Sequence, residues 1–162
     1  MSIDPVHTPG TAQVEPVSAL SGLRPQTAIA IAIDTAYVAS VGGGGITEGI
    51  YMFDNRVNNG STGEGSLELH THCNVQDLLG FEVYPINSPS SAGDTVEITG
   101  FNVSQGSVFG SQGYPMEQAP NYWIGQATTA NTQTYQIRVL VTIGGIRPTK
   151  YNVYWDPFIT AV

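Results

Sequence analysis

The sequence predicts an all-β fold: a single β-sandwich of the jelly-roll or immunoglobulin-like kind, with about eight strands. Three observations predict it. Only 11% of the 162 residues are charged, and 19 Gly, 10 Pro and many Ser, Thr and Asn take the place of the missing charge. Short segments rich in Ile, Val, Thr and Tyr recur with the alternation of strands. Clusters of turn-forming residues separate them, and no credible helix exceeds a turn or two.

Residues 1–27 hold Pro5, Pro9, Pro16 and Pro25 and show no apolar period, so they read as a flexible, Pro-rich leader that adds little to stability. The β-sandwich domain spans 28–162. It opens on Ala28-Ile29-Ala30-Ile31-Ala32-Ile33-Asp34, where three isoleucines share one face of a strand and alanines take the other. Gly42-Gly43-Gly44-Gly45 reads as a flexible turn: a phosphate cradle would need a following helix, and Ile46-Thr47-Glu48 follows instead. A strand near 49–54 comes next, then turn chemistry at Asn58–Gly63. Further strands are expected at 65–73, 78–86, 94–103, 121–126, 133–143 and 150–155. In the last, Val153 and Trp155 point into the sandwich, Asn152 and Tyr154 point out, and Asp156-Pro157 ends the pairing.

Charge narrows the partners. The net charge is −8, and Arg24, Arg56, Arg138, Arg147 and Lys150 are the only Lys or Arg residues. Nucleic acid is not an expected partner, because five scattered cations make no basic patch. A membrane is not expected either: the longest strictly apolar run, Ala28–Ile33, is six residues. A lone Cys73 and an N-terminus without an apolar secretory segment give the expectation of a cytoplasmic protein.

Candidates for chemistry are few. In Glu68-Leu69-His70-Thr71-His72-Cys73, a strand would place Glu68, His70 and His72 on one face, where a metal could be met. The pattern resembles the His-x-His of cupins, but the Glu and the later His that cupins need are missing. No metal site is therefore assigned, and His70 and His72 are the only candidates. Cys73 reads as a buried structural thiol, since His72 must face the other way along a strand. No nucleophile elbow or paired-carboxylate site is identifiable, so no catalytic residue and no cofactor is assigned. Aromatics cluster around Tyr122 and Trp123 and around Tyr154, Trp155 and Phe158. They either close the core or form a platform for a carbohydrate or small ligand, and Tyr122, Trp123, Tyr154 and Asp156 are the candidate ligand-binding residues.

Ile31-Ala32-Ile33-Asp34-Thr35, then Gly63-Glu64-Gly65-Ser66-Leu67-Glu68-Leu69 with Asn74-Val75-Gln76-Asp77, and finally Tyr154-Trp155-Asp156-Pro157-Phe158-Ile159 resemble, in this order, the bacterial inclusion-body protein family of the PixA/AidA type. The resemblance spans roughly 28–162. It departs where that family tends to read Val-Gly-Asp, here Val75-Gln76-Asp77, and where a Trp-Arg pair is expected, here Phe81-Glu82. It implies a cytoplasmic β-sandwich that accumulates in inclusions, with no catalytic residues to carry over. The expected function is non-enzymatic self-association as a homo-oligomer. The rivals are a lectin-like or small-ligand binding module and, behind it, a metal-dependent cupin-like enzyme.

Overall fold

The structure is a computed structural model that describes residues 24–87, 93–103, 108–110 and 114–162. Almost all of the expected leader therefore lies outside the described residues. Eleven strands are present among those described: β1 (Thr27–Asp34), β2 (Gly44–Gly45), β3 (Ile50–Asp54), β4 (His70–Cys73), β5 (Leu78–Ile86), β6 (Thr95–Val103), β7 (Met116–Ala119), β8 (Tyr122–Gln126), β9 (Asn131–Ile143), β10 (Thr149–Trp155) and β11 (Phe158–Ala161). One short α-helix, α1 (Thr35–Val41), follows β1 directly.

The all-β class is found, but the eight-strand sandwich needs correcting. Two mixed sheets face each other. One has the order β3-β1-β5-β8-β7. In the other, β10 and β11 lie end to end along one side of β9 and β6 lies along its other side, with β2 beyond β10 and β4 beyond β11. β1–β5, β2–β10 and β4–β11 pair in parallel, unlike the antiparallel ladders of a jelly roll or an immunoglobulin domain. Three strands were not expected. Gly44-Gly45 has no side chains to alternate, Met116–Ala119 buries none of its residues, and Phe158–Ala161 is short and follows a proline. The segment expected as a strand over 65–73 shortens to β4, because Gly63 and Gly65 hold φ of 80° and 86° and turn the chain before Leu69.

The isoleucines of β1 bury as their alternation requires: Ile29, Ile31 and Ile33 are at most 1% exposed. They join Phe81, Val83, Ile137, Val139, Val153, Trp155 and Ile159 in one core. Val153 and Trp155 face inward, while Asn152 and Tyr154 are exposed. Asp156-Pro157 interrupts the ladder without ending it. The same register with β9 holds on both sides, from Thr149 opposite Ile143 to Ala161 opposite Asn131. Pro157 lacks an N–H, but its carbonyl still accepts from Tyr135 N at 3.0 Å. β11, not β10, is thus the last strand.

Sequence chemistry sets the connections. Asp34 caps α1 by accepting from Tyr37 N, and Gly42 closes the helix in the left-handed region at φ 81°. The glycine run then turns along β10, where a Cβ on Gly43 would meet the Asn152 carbonyl oxygen at 2.8 Å. The helix precedes these glycines, so they cradle no phosphate at a helix start. Thr35, fully buried, donates to Asp94 at 2.6 Å, and Asp94 also accepts from Gly144 N, which ties α1 to the β9–β10 turn. Gln76 is the only non-glycine residue described at positive φ, 83°. That is the left-handed region that favours glycine, so the turn before β5 holds a side-chain-bearing residue under strain.

Candidate functional site

The four residues expected to bind a ligand do not meet. Tyr154 and Asp156 line an open groove of about 360 Å³ with Gly45, Ile46, Thr47, Leu67, Glu68 and Trp155. Its floor is apolar, and Glu68 and Asp156 are exposed at its rim. Tyr154 is not a bare platform. The Arg138 guanidinium lies 5.6 Å from its ring centroid, and Gly45 sits against the ring edge. Asp156 accepts from Gln136 Nε2 at 3.2 Å. Tyr122 and Trp123 belong to the other sheet. Tyr122 is 6% exposed, and Trp123 turns inward against Phe101, with ring centroids 5.7 Å apart. Both side chains are engaged in packing on the sheet opposite the groove, away from Tyr154 and Asp156.

His70 and His72 do share a face of β4, with ring centroids 4.5 Å apart. Glu68 does not join them, because it lies in the turn before the strand. His70 Nε2 is instead 2.7 Å from Thr160 Oγ1. Among the described residues no group of three or more His, Cys, Asp and Glu could hold a metal ion. Partial burial, and then the neighbouring His72, lower the pKa of His70 below its ordinary value. A base held down in this way binds fewer protons when folded. Its contribution to stability is present above the unfolded value near 6.5 and is lost as pH falls through the folded one. Melting temperature should therefore fall from pH 7.5 to pH 5, and His70→Gln should flatten part of that fall; His70 is only partly buried and solvent screens it, so the effect is small. The His70→Ala, His72→Ala double variant should also melt alike with and without a chelator. Cys73 is 2% exposed, and burial pushes its thiol up to about 12, so it stays protonated at neutral pH and is no nucleophile.

The two sheets differ sharply on their outer faces. β9, β10, β11 and β4 turn mainly polar side chains outward, Thr134, Gln136, Arg138, Asn152, Lys150, Thr160, His70 and His72, with Leu140, Tyr154 and Phe158 among them. On the other sheet, Tyr51 and Phe53 of β3 are 40% and 45% exposed, and Tyr84 and Ile86 of β5 are 42% and 45% exposed. Between them run Ala28, Ala30 and Ala32 of β1. Ala32 pairs with Tyr51 on one side and Tyr84 on the other, and Ala30 pairs with Phe53 and Glu82. The result is an alanine floor flanked by Tyr51 and Phe53 on one side and by Glu82, Tyr84 and Ile86 on the other. The signal was in the sequence: Ala28–Ile33 is apolar on both faces, as in a strand covered on both sides.

A family model described as a domain of unknown function, DUF8788, matches residues 25–149, which is most of the chain. The chain belongs to the DUF8788 family. That match runs from the start of β1 to the start of β10 and so takes in the alanine floor and both of its flanks. No curated protein matches the chain. Among solved structures, the inclusion body protein PixA of Burkholderia cenocepacia J2315 is similar at a TM-score of 0.67 and 18% identity, over 84% of this chain and 94% of that one. The resemblance to the PixA/AidA type is thus a likeness of fold, and the family shown is DUF8788. No helix among the described residues is long and apolar enough to cross a membrane.

Proposed function

We propose that this DUF8788 protein is a non-enzymatic cytoplasmic protein that works by self-association through the outer face of the β3-β1-β5 sheet. The observation that carries the reading is the exposed Tyr51, Phe53, Tyr84 and Ile86 around the alanine floor. A contiguous apolar patch of that kind on a sheet marks an interaction surface, and aromatic residues concentrate at such surfaces. The likeness of fold to an inclusion body protein supports the same reading. Identical copies associate most often through a two-fold axis, which brings one face onto itself. Sedimentation velocity over a wide dilution series should show a mass that rises with concentration. Phe53→Arg, which places a charge on the β3 wall beside Ala30, should hold the protein monomeric at unchanged melting temperature. Equal sedimentation of both proteins would reject this surface.

A second reading is favoured by the groove beside Tyr154. Its aromatic wall, apolar floor and two rim carboxylates suit a carbohydrate or another small hydroxylated ligand. Ligand-induced shifts in melting temperature, lost in Tyr154→Ala, would bring it forward.

A further inference from the structure

We infer that the outer face of the β3-β1-β5 sheet receives the turn between β9 and β10 of a second copy, so that copies join head to tail. Head-to-tail joining deepens the self-association proposed above and rests on it. Two-fold contacts are the commonest, but this face is ill suited to meeting its own image. Across the floor at Ala30, Phe53 stands on one side and Glu82 on the other. Phe81 and Val83 are fully buried, so Glu82 between them points outward with Tyr84. It is partly buried already, beside Ala30 of β1 and Tyr122 of β8. No Lys or Arg stands on β1, β3 or β5. A contact of the face with itself would therefore bury two carboxylates with no cation from these strands, which is costly. The partner that fits brings an apolar group for the floor and a cation for Glu82.

The turn Gly144-Gly145-Ile146-Arg147-Pro148 carries both. Ile146 is fully exposed, and Arg147 and Lys150 after it are exposed as well. A β-branched apolar residue adds nothing to the turn itself, where Gly, Pro, Asn, Asp and Ser supply the geometry. Arg56 is held by Asp77 and Arg138 lies over Tyr154, whereas among the described residues neither Arg147 nor Lys150 has an ion-pair partner. The base of the turn is fixed: Thr149 pairs with Ile143, and Gly144 N donates to Asp94 Oδ1 at 2.8 Å. A fixed base lowers the cost of ordering the turn on docking. β3 and β5 stand two strand spacings apart, about 10 Å, on either side of β1, which leaves room for Ile146 on the alanines between Phe53 and Tyr84, with Arg147 at Glu82. The turn belongs to one sheet and the face is the outer side of the other, so a chain does not fill its own face. A contact between two different surfaces leaves one turn and one face free, and association continues past a dimer. Tyr154 lies about 17 Å along β10 from Thr149, outside the contact.

Sedimentation velocity of variants across a dilution series tests this. Ile146→Asp changes a fully exposed side chain, so the fold is kept, and it should raise the concentration for half association about tenfold or more. Glu82→Arg and Arg147→Glu should each weaken association in the same way. The Glu82→Arg, Arg147→Glu double variant exchanges the two charges and keeps the net charge of −8, so it should associate like the wild type. The decisive sample is an equimolar mixture of Phe53→Arg and Ile146→Asp, at a concentration where neither associates alone. The intact turn of the first fits the intact face of the second, so the mixture should form a dimer and grow no further. If Phe53→Arg is monomeric while Ile146→Asp and Arg147→Glu associate as the wild type does, the face meets its own image; the head-to-tail contact is then overturned and the association surface stands. A wild type that stays monomeric at every concentration overturns both. Should Phe53→Arg fail to fold, the charge exchange still decides, and a double variant as weak as the single ones overturns the contact.

Discussion

Replacing Trp155 by alanine lowers the stability of the domain by about 3–5 kcal/mol, the range for removing a large buried aromatic. Trp155 is 2% exposed, and its indole N–H donates to Met52 Sδ at 3.1 Å across the two sheets. It sits opposite Ile137, at the end of β10 where the chain passes through Asp156-Pro157 into β11. Its loss opens a cavity between the sheets and leaves the Ile137 and Met52 side chains without their partner. Denaturant melts of wild type and variant measure the effect, and iodide should quench Trp155 poorly in the folded protein. A change under about 0.5 kcal/mol would mean a surface tryptophan and a wrongly placed core.

The second large effect is expected at Asp77, which sits 8% exposed where three segments meet. It accepts from Arg56 Nη2 at 2.6 Å, from Thr27 Oγ1 at 3.1 Å and from Asn74 N at 3.0 Å. Arg56 Nε also donates to Thr27 Oγ1 at 2.9 Å, so the start of β1, the turn after β3 and the turn before β5 are held by one network. Asp77→Ala takes the carboxylate from a partly buried guanidinium and leaves the Thr27 hydroxyl and the Asn74 N–H without their acceptor. Removing one partner of such a pair costs about 3 kcal/mol. Arg56→Met with Asp77→Leu, which removes both charges, should cost clearly less. Urea midpoints of the single and the double variant provide the comparison, and equal losses would mean that the network matters only through its packing.

The core was legible where side chains alternate. Ile29, Ile31, Ile33, Val153 and Trp155 all bury on the face that their spacing assigns. Topology was not legible, because alternation says which face a residue takes and not which strand lies beside it. The parallel pairing of β1 with β5 joins residues about fifty positions apart, and no local signal marks it. Gly44-Gly45 and Phe158–Ala161 were missed for a related reason: each is a strand only because β10 or β9 offers it an edge. The four candidate ligand residues separate onto the two sheets, which no local pattern foretells. Tyr154 and Asp156 fall near the end of an outward-facing strand and do line a groove, whereas Tyr122 and Trp123 pack within the fold. The outer aromatic face went unread because Tyr51, Phe53 and Tyr84 look like ordinary strand residues until β1 is seen to lie between them.

Self-association through that face is tested most directly by hydroxyl-radical footprinting at low and high protein concentration. Tyr51, Phe53 and Tyr84 report on the face, and Tyr154, equally exposed at 39% on the opposite sheet, serves as the internal control. The account predicts that raising the concentration protects Tyr51, Phe53 and Tyr84 several-fold and leaves Tyr154 unchanged. Protection of Tyr154 with unchanged labelling of Tyr51 and Tyr84 would contradict it and place the contact on the β9–β10 side.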